Sequence, residues 1–334
     1  MLLVTVLLSA LTIVAQDMNT FNSENTMTQK LIQPPYLKAG DTVAIVAPSG
    51  ILLNRETEIE EAKKLLKHWG LNVVVGKHIF NKNNHFAGTD YERALDLQAA
   101  IDNPNIKAIW CARGGYGAVR IIDNIDFTKF KEDPKWLIGY SDITVLLSQV
   151  HNLGFENIHG MMCTSLSDKK EEITESISTL KKALFGEPLS YTLKSSKYNK
   201  YGEAKGQLIG GNLTILQTML GSETALDTAG KILFIEEIGE YKYHIDRLLQ
   251  SLRRAGYFDN CKAVIVGDMT KLKRNTTSWG KPIEQLILDA FETCDFPVLF
   301  NFPAGHEKDN RALIFGRTVE LKINSYESIV LFEK

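Results

Sequence analysis

The sequence predicts an α/β protein, with an N-terminal doubly wound, mostly parallel sheet and a smaller C-terminal mixed α/β domain. Three observations carry this prediction. Between residues 42 and 152, short β-branched apolar runs alternate with segments of helical apolar spacing, which reads as a parallel sheet covered by helices on both faces. Near Asp168 the chain turns into a polar helix and then a basic connector. Beyond residue 206 strands and helices return, and the chain ends in alternating segments such as 318–322 (TVELK) that read as β-structure.

Each element has its own signal. Residues 42–48 (TVAIVAP) form a continuous apolar run bounded by Gly40-Asp41 and Ser49-Gly50, the mark of a strand buried on both faces. Residues 56–69 place Ile59, Ala62, Leu65 and Leu66 on one helical face, and Gly70 supplies the stop. Strands follow at 71–75, 108–112 and 136–140, with helices expected at 91–101, 119–125 and 142–152. A helix is expected over 169–185, and residues 189–206 read as a connector with few large aliphatics. The second half offers a strand at 206–209, a turn at Gly210-Gly211-Asn212 and a helix over 213–220. Strands at 231–236, 263–266 and 297–300 then alternate with helices at 243–255 and 282–293. The expected division is a leader and tether over 1–33, a domain over 34–167, a connector over 168–205 and a second domain over 206–334.

Composition narrows the function. Hydrophobic residues make up 44% of the 334 and charged residues 23%, which excludes a wholly disordered chain. Lys and Arg number 38 against 40 Asp and Glu, so the basic excess of a phosphate-neutralising nucleic-acid binder is missing. Residues 1–16 carry no charge, yet the run is shorter than the roughly 20 apolar residues of a membrane-spanning helix. It has the length of a signal-peptide core, although no Lys or Arg precedes it. Export follows if it is a leader; a start at Met18 or Met27 makes the protein cytoplasmic. The four cysteines, Cys111, Cys163, Cys261 and Cys294, include no C-x-x-C pair, and no metal-ligand spacing occurs, so neither a metal nor another cofactor is expected.

The most informative segment is 136–143 (WLIGYSDI), where a strand runs into Ser141 and a helix begins at once. Such a turn holds a serine hydroxyl over the sheet edge and aims the next amide, that of Asp142, at a developing oxyanion. The plainer alternative is an ordinary serine N-cap. A serine nucleophile needs a base, and the base an orienting acid. Of seven histidines, His159 and His306, each read as a loop position, are best placed as the base, with an ordinary surface histidine as the alternative. For the acid, the strand at 231–235 ends in Glu236, Glu237 and Glu240, any of which reaches a site at that edge. The turn Arg113-Gly114-Gly115-Tyr116-Gly117 lacks the order of a nucleotide loop and is either a backbone cradle for a carboxylate or oxyanion or a plain tight turn, with Arg113 either pairing with a substrate carboxylate or lying on the surface. Gly210-Gly211-Asn212 is either a turn or a segment lining the site.

These pieces together resemble the LD-carboxypeptidase family of serine peptidases. The matching segments are 34–50 (PPYLKAGDTVAIVAPSG), 86–101, 108–126 (AIWCARGGYGAVRIIDNID), 136–144 (WLIGYSDIT), 208–222, 231–252 (KILFIEEIGEYKYHIDRLLQSL) and 302–310 (FPAGHEKDN). The resemblance implies a Ser–Glu–His triad on Ser141, Glu236 and His306, with Glu240 as second choice for the acid and the amides of Gly115 and Asp142 as oxyanion donors. Arg113, Gly114, Tyr116, Asn212 and Glu240 are expected to contact substrate. It further implies a class I glutamine-amidotransferase-like first domain, a homodimer, and hydrolysis of the L,D bond that releases D-alanine from peptidoglycan tetrapeptides. Departures occur at Met161, where His-Gly-Pro is expected, and at His244, where Arg is usual. A branch of the same fold resembles immunity peptidases that cleave microcin C-type peptidyl nucleotides and need an adenine-stacking aromatic, for which Tyr191, Tyr198 and Tyr201 are present. A non-catalytic muropeptide-binding protein is the remaining alternative.

Overall fold

Two sheets, each fed by strands that end on a shared working edge, organise the molecule. The structure is a computed structural model and describes residues 31–334. The leader, the tether and the alternative starts at Met18 and Met27 lie outside the described residues. From Leu31 onward the chain forms a single compact unit.

The first sheet has the order β11-β5-β4-β3-β1-β2. Its strands are β1 (Thr42–Val46), β2 (Asn72–Val75), β3 (Ile106–Cys111), β4 (Trp136–Gly139), β5 (Asn157–His159) and β11 (Leu313–Phe315). The first five are parallel, and β11 closes the edge antiparallel to β5. Its core strands β1 and β3 are almost wholly buried, as continuous apolar runs require. The helices α1 (Glu56–His68), α2 (Asp90–Asp102), α3 (Thr128–Glu132), α4 (Thr144–Asn152) and α5 (Lys170–Phe185) connect or follow these strands. Thr89 and Glu92 close a reciprocal capping box at the start of α2.

The second sheet, β10-β9-β8-β7-β12-β13-β6, is mixed. It is built from β6 (Ser190–Lys194), β7 (Gly202–Asn212), β8 (Ile232–Ile238), β9 (Ala263–Thr270), β10 (Val298–Leu299), β12 (Thr318–Ile323) and β13 (Glu327–Phe332). Strands β7 to β10 are parallel, while β12, β13 and β6 join antiparallel. The helices here are α6 (Leu213–Thr218), α7 (Lys242–Arg254) and α8 (Ile283–Ala290).

The structure corrects four local expectations. The helix expected over 119–125 is two short 3₁₀ turns, Ala118–Arg120 and Ile122–Asn124, closed by bonds from i+3 to i (the N–H of Ile121 to the Ala118 carbonyl, that of Asn124 to Ile121 and that of Ile125 to Ile122), and its β-branched Val119, Ile121, Ile122 and Ile125 are weak helix formers. The segment read as a connector contains β6, whose alternating Tyr191 and Leu193 pack inward against β13. His159 lies in β5 rather than in a loop. Gly210 and Gly211 are the end of β7, not a turn. Both have strongly positive φ, and a Cβ on Gly210 would fall 1.9 Å from the Phe234 carbonyl oxygen, so glycine here serves close strand-to-strand approach.

Candidate active site

Strand β4 ends at Gly139, and after Tyr140 the chain turns through the 3₁₀ segment Ser141–Ile143 into α4. Ser141 takes φ +63°, a left-handed conformation that costs a non-glycine residue roughly 1–2 kcal/mol. The turn is bound from behind by Asp142, whose buried Oδ2 accepts from Ser49 Oγ at 2.6 Å and from the Ala118 N–H at 2.8 Å. Asp142 thus joins the loop after β1, the glycine loop after β3 and the serine turn. It does not face the imidazole.

His306 reaches Ser141 from the second sheet. Its Nε2 lies 3.0 Å from Ser141 Oγ, and its Nδ1 lies 2.6 Å from Glu236 Oε2. Glu236 sits in β8 and its side chain is fully buried, while His306 keeps 12% of its side chain exposed. With Nδ1–H donating to the carboxylate, Nε2 is left to accept from the serine hydroxyl, the arrangement in which imidazole serves as a base. Burial disfavours protonation of His306, but the neighbouring carboxylates, Glu236 above all, outweigh it and hold the imidazole above its ordinary range. Tyr140 packs its ring edgewise on His306 at 5.0 Å and limits the imidazole's tilt. The loop carrying His306 is pinned by the Asp268 N–H to the Ala304 carbonyl at 2.9 Å, by the Glu307 N–H to Asp268 Oδ2 at 2.8 Å and by the Gly305 N–H to Asn310 Oδ1 at 3.1 Å.

The three competing glutamates have different partners. Glu236 takes the imidazole. Glu237, on the other face of β8, accepts from Asn212 Nδ2 at 3.1 Å and from the N–H and hydroxyl of Thr214 at 2.8 and 2.7 Å. Glu240 pairs with His244 Nδ1 one helical turn on, so it does not orient His306. The rival base is also resolved. His159 is completely buried among Tyr140, Phe234 and Phe315, neither ring nitrogen has a hydrogen-bond partner among the described residues, and burial depresses it to about 3. It is neutral and stands apart from the serine relay.

The glycine loop lies directly against the nucleophile. A Cβ on Gly114 would come within 3.0 Å of Ser141 Cβ and 3.3 Å of its Oγ, so any larger residue here would press on the nucleophile. Gly115 and Tyr116 are exposed beside it. The Asp142 N–H belongs to the first turn after the serine, where amides have no intrahelical acceptor. Arg113 is partly buried and donates to the Ile51 carbonyl, which turns its head toward the loop after β1. The Asn212 side chain is occupied as the N-cap of α6 and by Glu237, which fits a structural rather than a substrate-binding task. Tyr191 is buried with its hydroxyl on the Ala312 carbonyl, so it offers no face for stacking, whereas Tyr201 is exposed. All four cysteines are free. Among the described residues no helix is long and apolar enough to cross a membrane.

Three residues of this site escaped the sequence reading. Tyr140 was read only as the strand's last residue, and Ser49 only as part of a strand-ending turn. Asp268 is a carboxylate at the end of an apolar strand, the same signal that singled out Glu236.

The chain resembles known proteins along most of its length. The LD-carboxypeptidase N-terminal domain matches residues 43–160 and the LD-carboxypeptidase C-terminal domain matches 205–321. A protein named probable murein peptide carboxypeptidase from Bacillus subtilis is 34% identical over 307 residues, covering 90% of this chain and 94% of that protein. The murein tetrapeptide carboxypeptidase of Pseudomonas aeruginosa is 32% identical, covering 84% and 93%. Among solved structures, the muramoyltetrapeptide carboxypeptidase of Oxalobacter formigenes superposes with a TM-score of 0.79 at 26% identity, over 88% of this chain and 99% of that one. A microcin C7 self-immunity protein shares the fold at a TM-score of 0.80 and 23% identity, over 91% and 99%.

Proposed function

The chain belongs to the LD-carboxypeptidase family, and from that premise we propose that it is a serine peptidase that cuts the L,D bond releasing terminal D-alanine from murein tetrapeptides. The observation that carries the reading is the unbroken relay from Ser141 Oγ through His306 to Glu236.

In this mechanism His306 Nε2 removes the Ser141 proton as Oγ attacks the carbonyl before the terminal D-residue. The tetrahedral oxyanion is met by the amides of Asp142 and Gly115, a contribution of about 3–4 kcal/mol for a well-placed donor. The imidazolium returns its proton to the leaving amine, D-alanine departs, and the acyl-enzyme remains on Ser141. Water then attacks with His306 again as base, and the carboxylate product leaves with the serine hydroxyl restored. Glu236 keeps Nδ1 protonated and stabilises the imidazolium throughout. The substrate's terminal carboxylate falls to the glycine loop and Arg113.

On the same reading residues 34–167 supply the nucleophile, 206–334 supply acid and base, and 168–205 link them. The active species is a homodimer, which size-exclusion chromatography with light scattering tests. A D-alanine release assay on tetrapeptide with wild-type and Ser141→Ala protein tests the activity itself.

A further inference from the structure

Helix α5 reaches the catalytic loop from behind, through a serine that takes no part in the relay. The buried stripe of α5 consists of Ile173, Leu180, Ala183 and Leu184, and it also carries the hydroxyls of Ser176 and Thr179. A buried hydroxyl is costly unless it is hydrogen-bonded, so its partners show what it holds. Thr174 and Thr179 donate back to the carbonyls of Lys170 and Glu175, each at 2.7 Å, as hydroxyls in helices commonly do. Ser176 is wholly buried and bonds outward instead. Its Oγ donates to the Lys308 carbonyl at 3.2 Å and accepts the Asn310 N–H at 2.8 Å. Both bonds go to the loop that carries His306.

The path on to the imidazole is short. Asn310 is buried, and its Oδ1 accepts the Gly305 N–H at 3.1 Å. Gly305 immediately precedes His306 and is wedged beside the catalytic acid, since a Cβ there would fall 2.9 Å from Asp268 Cβ and 3.1 Å from Glu236 Cβ. The Arg311 N–H closes the loop on the Pro303 carbonyl at 2.9 Å, and Ser176 and Asn310 brace its interior. From Ser176 Oγ to the residue before the catalytic base there are two hydrogen bonds and the side chain of one asparagine.

The same stretch of chain touches the other half of the site. The Thr164 N–H donates to the Ala112 carbonyl at 3.1 Å, next to Arg113 at the start of the glycine loop. The segment from Thr164 to Ser176 therefore ties the loop beside the nucleophile to the loop that carries the base. The ion pair of Lys308 with Glu172, one helical turn before Ser176, lies open to water and adds little hold. The buried hydroxyl is the firmer attachment.

We propose that Ser176 is a positioning residue for His306, whose hydroxyl acts through Asn310 and Gly305 to keep the imidazole between Ser141 and Glu236. The proposal rests on the carboxypeptidase reading above. Burial opposes protonation of His306, Glu236 and Glu237 on β8 and Asp268 on β9 favour it, and Tyr140 and His159 beside it are neutral. An imidazole that drifts from Glu236 therefore titrates at lower pH.

The test measures kcat, KM and the acidic limb of kcat/KM for D-alanine release from tetrapeptide by wild type, Ser176→Ala and Thr174→Ala, with the titration of His306 followed by NMR. In Ser176→Ala, kcat is expected to fall about tenfold at unchanged KM, and both the limb and the titration to move to lower pH. Thr174→Ala, which removes a hydroxyl from the same helix without touching the loop, is expected to match wild type. Unchanged kcat in Ser176→Ala overturns the proposal. So does a lower kcat with limb and titration in place, which would make Ser176 a packing residue, and so does the same change in Thr174→Ala. If Ser176→Ala does not fold, Ser176→Cys, which nearly keeps the volume and weakens the acceptor, is read in the same way. If wild type releases no D-alanine, the carboxypeptidase reading fails and the NMR titration decides by itself. A lower titration of His306 in Ser176→Ala then supports the positioning role, and identical titrations overturn it.

Discussion

His306 Nδ1 and Glu236 Oε2 are 2.6 Å apart, and the carboxylate has no exposure to water at all. A buried carboxylate is costly unless its charge is answered. Here the only charge it meets in this contact is the one His306 acquires during turnover, so the pair is built for the imidazolium.

The pH profile follows from this pair. The Glu236 carboxylate overcomes burial and raises His306 above its usual value near 6.5, and the base works only when neutral. The acidic limb of kcat/KM is therefore expected above about pH 6.5. Glu236→Gln removes the raising charge and leaves the burial, so the limb moves to lower pH while kcat falls by about 10³–10⁴-fold. In stability the sign is opposite to that of a depressed acid. The pair's contribution is complete below His306's unfolded value and is lost as pH rises through the folded one. Activity and denaturation profiles across pH 5–9 or so, read side by side, check both statements.

Ser141 sits at φ +63°, so its geometry is held against local preference. Ser141→Gly relieves that strain and also gains chain freedom in the unfolded state, so the variant is expected to match wild type or exceed it by up to about 1 kcal/mol, with no turnover. Thermal or urea denaturation measures this. A variant clearly less stable than wild type would mean that the turn is not strained.

Gly114→Ala puts a methyl group 3.0 Å from Ser141 Cβ. The serine turn must shift by a few tenths of an ångström, which is expected to cut kcat by about 10–100-fold with little change in melting temperature. Unchanged kcat would remove the glycine loop from the site.

Asp268 is pushed up to about 7, chiefly by burial, and its Oδ2 accepts the N–H of Glu307 beside the catalytic imidazole. It acts as a positioning residue. Asp268→Asn retains an acceptor at that amide and is expected to hold kcat within about threefold, whereas Asp268→Ala loses about 10–100-fold in kcat at constant KM. If Asn and Ala behave alike, the hydrogen bond is not what places His306.

Much of this was legible from local pattern. Continuous apolar runs identify β1, β3, β4, β8 and β9 because buried parallel strands admit few polar residues, and the strand-to-serine turn identifies Ser141 for the same reason. Partner choice was not legible. Glu236, Glu237 and Glu240 look alike in sequence, and the pleat of β8 and the turn into α7 decide which of them meets His306. Strands β5 and β11 are three residues each and are held by pairing across more than 150 positions, which no local window senses. Asn212 looked available for substrate because the capping of α6 depends on where β7 ends.

The central claim, that Ser141 is the nucleophile of an L,D-carboxypeptidase, is tested most directly by measuring D-alanine release from tetrapeptide with wild-type and Ser141→Ala protein of equal melting temperature. Release by wild type and its loss to background in the variant are the predicted result. Release retained by Ser141→Ala would contradict it.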